Sequence, residues 1–217
     1  MILKGLVFDL DGTLTSTRAD YWRSLVKTVA RTHGCSEMSE EDLPKFWFGH
    51  KRDEIISSWG IPPKDFWKVF RELDSAAERE KHVFVFEDVS FLKNFKRKGL
   101  KLGVVTQAPS RIAGMELKKI PVEFDSIVLM DSLDRYRFKP DPAGVHRCLR
   151  ELGIGVEEAV YVGNSEEDYL TSKNAGIRFI LLDRGEHEAS CVEAEKVKSL
   201  YELWGLLNSE KGFMQRD

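Results

Sequence analysis

Short apolar runs recur along this chain, and segments with helical periodicity separate them. Each run is bounded by polar or turn-forming residues, and its apolar positions are mostly consecutive rather than alternating. Such runs are typical of strands that are buried on both faces, as in a parallel sheet. The pattern predicts five strands, at residues 2–9, 102–106, 126–129, 159–163 and 177–182.

Amphipathic helices are predicted between or after these strands. Apolar residues three or four positions apart form one face from Val89 to Phe95, from Val145 to Leu152 and from Leu200 to Leu207. The second of these helices is predicted to begin with Asp141 as its N-cap, before Pro142 at its first position, and to end at Gly153. Strands that alternate with helices favour a parallel sheet covered by helices on both faces.

A long helical stretch interrupts this alternation directly after the first strand. Between about residue 15 and residue 83, apolar and aromatic residues follow helical spacing throughout. We therefore predict an α/β protein with a doubly wound, Rossmann-like parallel-sheet core and an inserted all-helical cap domain. The core is expected at residues 1–14 and 85–217, and the cap at residues 15–84. This insertion would stand at the carboxyl end of the sheet, where open α/β sheets bind ligands.

Composition and charge exclude several classes of protein. The chain has 217 residues, of which 42% are hydrophobic and 32% charged, so disorder and low-complexity repeats are not expected. Its net charge of −3 gives no basis for bulk binding to nucleic acid. The apolar runs are too short to span a membrane, and Asp9 and Asp11 interrupt the first run too early for a signal peptide. Three cysteines without CxxC spacing fit a reducing compartment, so we expect a cytoplasmic protein.

Polar motifs lie at or just beyond the carboxyl ends of the predicted strands. Asp9 and Asp11 can face one site, as nucleophile and proton donor or as cation ligands; the alternative is a solvated Asp-Gly turn. Thr106, with nearby backbone N–H groups, can bind a phosphoryl oxygen, although threonine is common at strand ends. Lys139 can balance charge between two anions, although most lysines are solvated. Residues 163–168 offer oxygen ligands to a cation, or form the acidic first turn of a helix.

These motifs are expected to converge on one crevice, because parallel strands end at a common edge of the sheet. Their order and placement resemble the haloacid dehalogenase-like (HAD) hydrolases, in particular the phosphatase branch with a helical cap after the first motif, such as the phosphoglycolate phosphatases. The resemblance covers nearly the whole chain. The matching segments are FDLDGT at residues 8–13, VVTQA at 104–108, FKPDP at 138–142 and VGNSEEDYLTSKNAGI at 162–177.

The resemblance implies a Mg²⁺-dependent phosphomonoesterase that hydrolyses a small phosphorylated metabolite, phosphoglycolate-like or sugar-phosphate-like, through a phosphoaspartyl intermediate. Asp9 would be the nucleophile, and Asp11 would protonate the leaving oxygen and then activate water. Thr106 would hydrogen-bond the phosphoryl group, and Lys139 would screen charge between Asp9 and the phosphate. The implied Mg²⁺ site comprises Asp9, Asp11 (through its carbonyl), Asn164 and Asp168. The implied substrate- or phosphate-binding residues are Gly12, Thr13, Gln107, His50, Lys51 and Arg52.

The last three of those residues belong to the predicted cap, at a place where related caps lower a loop over the active site. They can meet an anionic or polar leaving group; with about equal weight, they can form a solvated turn that begins a helix. Beyond the metabolite, we expect a monomer or a homodimer with no nucleic-acid or membrane partner.

Asn164 departs from the family pattern, since many family phosphatases have Asp there as a direct metal ligand. An amide oxygen can still coordinate Mg²⁺, but one negative charge is lost, so we expect weaker binding or help from Asp168 or Glu167. Asp11 favours phosphate ester chemistry over dehalogenation, because a leaving alkoxide needs a proton and a leaving halide does not. The alternatives are a phosphomutase or 2-haloacid dehalogenase of the same fold, or a non-catalytic binding protein that kept the fold.

Overall fold

The computed structural model describes residues 2–49, 51–132, 138–189 and 193–209. The chain divides into two compact units, one comprising Met1–Ser16 with Val85–Asp217 and the other Thr17–Phe84. In the described part of the chain, no helix is long and apolar enough to cross a membrane.

Strands and helices alternate along the described residues. The strands are β1 (Gly5–Phe8), β2 (Thr15–Thr17), β3 (Val83–Val85), β4 (Lys101–Thr106), β5 (Ser126–Leu129), β6 (Ala159–Gly163), β7 (Arg178–Leu182) and β8 (Glu195–Val197). The α-helices are α1 (Ala19–Thr32), α2 (Asp42–Phe48), α3 (Arg52–Ser58), α4 (Pro63–Leu73), α5 (Ala76–Arg79), α6 (Leu92–Arg97), α7 (Ser110–Leu117), α8 (Ala143–Leu152), α9 (Glu166–Ala175) and α10 (Leu200–Ser209).

The first unit is built on a parallel sheet with the strand order β5-β4-β1-β6-β7-β8. Strand β1 lies inside the sheet, and its last residue, Phe8, pairs with Val104 on one side and Val162 on the other. The chain adds β4 and β5 on one side of β1 before it crosses to build β6, β7 and β8 on the other. The strand order thus reverses at β1, and a crevice opens beyond its carboxyl end.

Two apolar cores cover the opposite faces of this sheet. Successive side chains of a strand point to opposite faces, so Leu6 and Phe8 enter one core and Val7 enters the other. Helices α6, α7 and α10 contribute to the first core, and α8 and α9 contribute to the second. The predicted fold class, a doubly wound parallel sheet, is confirmed.

Two details of the first unit differ from the sequence pattern. Strand β8 was not predicted, because its residues Glu195 and Lys196 are charged and exposed and leave no apolar run. Helix α8 begins one residue later than expected, after Pro142, although the Asp141 carboxylate still accepts a hydrogen bond from the Ala143 N–H at 2.8 Å. The helix ends, as predicted, at Gly153, whose φ of 66° is in the left-handed region that favours glycine.

The second unit packs α1 to α5 around an aromatic core of its own. The Phe46 ring lies 5.4 to 5.6 Å from the rings of Phe66, Trp59 and Trp67. The aromatic residues of this segment therefore serve packing, in line with their helical spacing. The segment that was predicted to be all-helical begins and ends with short strands, β2 and β3, which pair in a two-stranded sheet. Its role as a cap stays a prediction.

Candidate active site

The predicted motifs of the first unit lie at the carboxyl edge of its sheet. Asp9 directly follows β1, Thr106 is the last residue of β4, and Asn164 directly follows β6. Lys139 approaches from the segment before α8, and its ammonium group reaches Asp9. Each of these four side chains is buried.

The loop after β1 is a tight turn that approaches Asn164 closely. The Leu10 carbonyl accepts hydrogen bonds from the N–H groups of Leu14 and Thr15, and the Gly12 N–H donates to the Thr15 carbonyl at 2.6 Å. Gly12 has a φ of 80°, and a side-chain carbon at this position would overlap the Asn164 amide. Glycine is required here both by the backbone conformation and by this close approach.

A buried lysine stands between two buried carboxylates. Lys139 Nζ lies 2.5 Å from Asp9 Oδ1 and 2.6 Å from Asp168 Oδ1. Burial raises the pKa of Asp9 to about 7, with a further rise from the charge of Asp168, although Lys139 opposes both effects. Burial alone would lower the pKa of Lys139, but the two carboxylates hold it well above its usual value. Lys139 is therefore a permanently charged partner of Asp9.

The carboxylate of Asp168 is already saturated with hydrogen bonds. Its Oδ1 accepts from Lys139 Nζ and from the Tyr161 hydroxyl, the latter at 2.8 Å. Its Oδ2 accepts from the N–H groups of Asn164 and Ser165 and from the Ser165 hydroxyl. Although burial acts to raise the pKa of Asp168, Lys139 and these donors lower it. The geometry does not fit the implied role of Asp168 as a direct metal ligand; it fits a residue that holds Lys139 in place.

Oxygen atoms suited to a hard cation converge around the Thr13 hydroxyl. Thr13 Oγ1 lies 3.3 Å from Asp9 Oδ2 and 3.2 Å from Asn164 Oδ1, and its single proton can serve only one of them at a time. Within the described ranges, no three His, Cys, Asp or Glu side chains form a group that could hold a metal ion. The implied Mg²⁺ site depends instead on one carboxylate, the Asn164 amide oxygen and the Asp11 carbonyl, all of them oxygen donors that Mg²⁺ accepts.

The two polar residues that end β4 have different surroundings. The Thr106 hydroxyl accepts a hydrogen bond from the Ala108 N–H at 3.0 Å, which leaves its own proton to donate. The Gln107 amide is engaged at both ends: it donates to Glu167 at 2.8 Å and accepts from the Lys139 N–H at 3.0 Å. Thr106 remains suited to a phosphoryl oxygen, whereas Gln107 is occupied by contacts within the protein.

Asp11 lies near two other carboxyl groups. It is half-buried, and its backbone forms a bridge with Thr15. Its negative charge adds to the rise in the pKa of Asp9. Burial raises the pKa of Glu186, and Asp11 contributes to that rise, while Ser16 and Arg184 oppose it. The edge of the sheet around β1 is thus rich in acidic groups, with Lys139 as a buried counterion.

Sequence reasoning missed two residues that support the site. Tyr161 donates to Asp168 from inside β6, and a tyrosine in a buried strand was a signal, since its hydroxyl needs a partner. Arg184 lies just beyond β7, donates to the Thr13 carbonyl at 3.0 and 3.1 Å, and pairs with buried Asp88 at 2.8 Å. Its position beyond a predicted strand end was the signal that could have found it.

The residues implied for substrate binding in the second unit have local partners. Lys51 Nζ lies 3.7 Å from Glu54 in the first turn of α3, and Lys51 is exposed. Arg52 Nε donates to the Phe46 carbonyl at 3.1 Å, near the end of α2. His50 lies outside the described residues. The role of these three residues in substrate binding stays a prediction.

Comparisons with known proteins agree with this arrangement. A family model described as haloacid dehalogenase-like hydrolase matches residues 6–182. A candidate pyrophosphatase PpaX from Caldanaerobacter subterraneus is 29% identical over 220 residues, which cover 98% of this chain and 96% of that protein. The pyrophosphatase PpaX of Bacillus velezensis is 33% identical over 181 residues, 80% of each chain.

A solved structure gives the same picture of the fold. The crystal structure of a candidate phosphoglycolate phosphatase from Lactobacillus plantarum superposes with a TM-score of 0.81. The match covers 95% of this chain and 100% of that one, at 20% sequence identity. At this identity the likeness concerns the fold alone.

The family match includes every segment that carries the predicted motifs, from the loop after β1 to the end of β7. The prediction of a hydrolase with this fold is thereby confirmed. The chain belongs to the haloacid dehalogenase-like hydrolase family.

Proposed function

We propose that this protein is a Mg²⁺-dependent phosphatase that hydrolyses small phosphate monoesters through a phosphoaspartyl intermediate. The observation that carries the proposal is the buried row of Asp9, Lys139 and Asp168, with Asp11 two residues beyond Asp9. A carboxylate paired with a permanent cation is suited to meet another anion, because the cation offsets the repulsion between them.

In the first half of the reaction, an oxygen of the Asp9 carboxylate attacks phosphorus and the bond to the leaving oxygen breaks. The Asp11 carboxyl group gives its proton to that oxygen, so the product leaves as an alcohol. In the second half, Asp11 takes a proton from water, and the water oxygen attacks phosphorus and releases phosphate from Asp9. Thr106 donates its free proton to a phosphoryl oxygen, and Lys139 stabilises the added negative charge.

The oxygen donors around Thr13 fit the metal that this chemistry calls for. Asp9 Oδ2, the Asn164 amide oxygen and the Asp11 carbonyl would hold Mg²⁺. When bound, Mg²⁺ supplies positive charge that draws the anionic substrate toward Asp9. Asp168 is assigned to positioning Lys139 rather than to the metal, because its oxygens already accept five hydrogen bonds.

The substrate is proposed to be a small metabolite, and phosphoglycolate-like and sugar-phosphate-like esters are the first candidates. Inorganic pyrophosphate is a second candidate, since the relatives at 29% and 33% identity are named as pyrophosphatases. A phosphomutase would isomerise a sugar phosphate without free phosphate. A dehalogenase would release halide from a 2-haloacid, although it would have no use for the Asp11 proton.

The test is phosphate release from a panel of small esters and pyrophosphate, with Mg²⁺ and with a chelator. Asp9→Asn serves as the variant without a nucleophile, and Asp183→Asn, outside the proposed machinery, as the matched control. We expect metal-dependent release that Asp9→Asn abolishes and the control retains. Release that survives Asp9→Asn would contradict the proposal, as would ligand binding without turnover on the whole panel.

A further inference from the structure

Gln107 connects three of the segments that carry the site. It follows Thr106 at the end of β4; its Oε1 accepts from the Lys139 main-chain N–H at 3.0 Å, and its Nε2 donates to Glu167 Oε2 at 2.8 Å. Glu167 is itself buried, and it directly precedes Asp168 on α9. One side-chain amide therefore joins β4, the segment before α8 and the first turn of α9.

The chemistry of the two partners permits only one orientation of this amide. A main-chain N–H can only donate, so it must face the amide oxygen of Gln107. A carboxylate can only accept, so Glu167 must face the amide nitrogen. Both hydrogen bonds are lost if the amide turns over, and the link is consequently directional.

The link ends at both neighbours of the buried ion pairs. Gln107 holds the main chain of Lys139, whose Nζ must lie within hydrogen-bond distance of Asp9 and Asp168 at once. Glu167 precedes Asp168, the second of those carboxylates. Because a displacement of about 1 Å in a reacting group can lower a rate about 100-fold, a fixed main chain at position 139 matters for the chemical step.

We propose that Gln107 is a positioning residue, which couples the phosphate-facing end of β4 to Lys139 and Glu167 and so sets the place of the Lys139 ammonium group beside Asp9. The proposal rests on the proposed phosphatase function and adds a residue role to it. Gln107 acts through Lys139 and does not touch the substrate.

A role as a phosphate ligand, which the family resemblance implies for Gln107, makes a different demand on the same amide. To donate to a phosphoryl oxygen, Nε2 would have to leave the buried Glu167 carboxylate or share its protons with it. A phosphate ligand would chiefly lower KM, whereas a positioning residue would chiefly raise kcat. The two roles are thus separable by kinetics.

The experiment exchanges donor and acceptor across the Gln107–Glu167 hydrogen bond. The variants are Gln107→Ala, Gln107→Glu, Glu167→Gln and the double variant Gln107→Glu/Glu167→Gln. Glu193→Gln, the same acid-to-amide change at an exposed position, is the matched control. For each we would measure kcat and KM with the best ester from the panel, and the melting temperature.

We expect Gln107→Ala to lower kcat by about 10- to 100-fold while KM changes by less than about threefold. Gln107→Glu should lose more, because two carboxylates then face each other. The double variant should recover most of that loss, since the new amide at position 167 can donate to the new carboxylate at position 107. Glu193→Gln should behave as wild type.

Two results would overturn the proposal. The first is a rise in KM with unchanged kcat in Gln107→Ala, which would make Gln107 a phosphate ligand. The second is a double variant no more active than Gln107→Glu, or one whose melting temperature recovers while kcat does not; either would reduce the link to a purely structural contact.

Failure of the proposed function would be visible separately, as wild-type protein that releases no phosphate from any ester. In that case the link is read from the Lys139 main-chain amide by nuclear magnetic resonance. Gln107→Ala should shift that signal and speed its hydrogen exchange, and Glu193→Gln should do neither. An unchanged Lys139 signal in Gln107→Ala would refute the positioning role.

Discussion

Replacing Asp9 by Asn should stabilise the folded protein at pH 8, even though it removes a charged partner of Lys139. Burial raises the pKa of Asp9 from 3.8 to about 7. The folded state therefore holds the Asp9 proton over a pH range in which the unfolded chain has lost it. Between about pH 4 and pH 7 the folded state binds more protons, so this group makes the protein less stable as pH rises.

The magnitude follows from the difference in pKa. A shift of about 3 units at about 1.4 kcal/mol per unit corresponds to about 4 kcal/mol at pH 8, where Asp9 is ionised in both states. An amide carries no charge at any pH and escapes this cost. The advantage of Asp9→Asn should shrink to about 2 kcal/mol at pH 5, where the folded protein keeps Asp9 protonated.

The measurement is urea unfolding of wild type and Asp9→Asn at pH 5 and pH 8, in metal-free buffer with chelator. Thermal unfolding at pH 8 should show a gain of roughly 10 °C for a chain of this length. Asp168→Asn is the matched comparison, because the pKa of Asp168 is lowered. That carboxylate contributes stability above its unfolded pKa, so its amide variant should be less stable at both pH values.

The reasoning would be refuted by an Asp9→Asn variant that is less stable than wild type at pH 8, or by an advantage that does not depend on pH. The first outcome would mean that attraction to Lys139 outweighs the burial of Asp9. The second would mean that the stability change has a packing origin rather than an electrostatic one.

Three further predictions concern the neighbours of Asp9. Asn164→Asp should bind Mg²⁺ about tenfold more tightly by calorimetry, because a carboxylate replaces a neutral oxygen ligand; unchanged affinity would remove Asn164 from the metal site. Arg184→Met should lower the free energy of unfolding in urea by about 3–5 kcal/mol, since buried Asp88 loses its ion pair and the Thr13 carbonyl loses two donors; a loss under about 1 kcal/mol would speak against this. Thr106→Val should lower kcat/KM for the best ester about 100-fold with a melting temperature within a few degrees of wild type, and near-normal kinetics would exclude its contact with phosphate.

Much of the fold could be read from the apolar pattern. A strand buried on both faces needs consecutive apolar residues, so the five longer strands of the parallel sheet were visible in the sequence. Strand β8 was not, because exposed Glu195 and Lys196 need no apolar side chains at the edge of a sheet. Strands β2 and β3 were hidden for a related reason: they are three residues long and lie at the ends of a helical segment.

The chemical types of the site were also present in the sequence, but their pairing was not. Residues at the carboxyl ends of parallel strands share one edge, which predicts that Asp9, Thr106, Lys139 and Asn164 lie near one another. Which nitrogen meets which oxygen depends on side-chain directions that no local pattern specifies. The ion pair between Lys139 and Asp9 joins residues 130 positions apart, and only the packed sheet brings them together.

The sequence by itself determined an α/β hydrolase of a known family with a strand-end site rich in carboxylates, because strand burial and motif spacing are local properties. The tertiary structure alone decided which oxygens remain for a metal. Asp168 is saturated by donors from three separate segments, and Gln107 is held between Lys139 and Glu167. A side chain has a limited number of hydrogen bonds to make, and only the folded chain shows which partners have taken them.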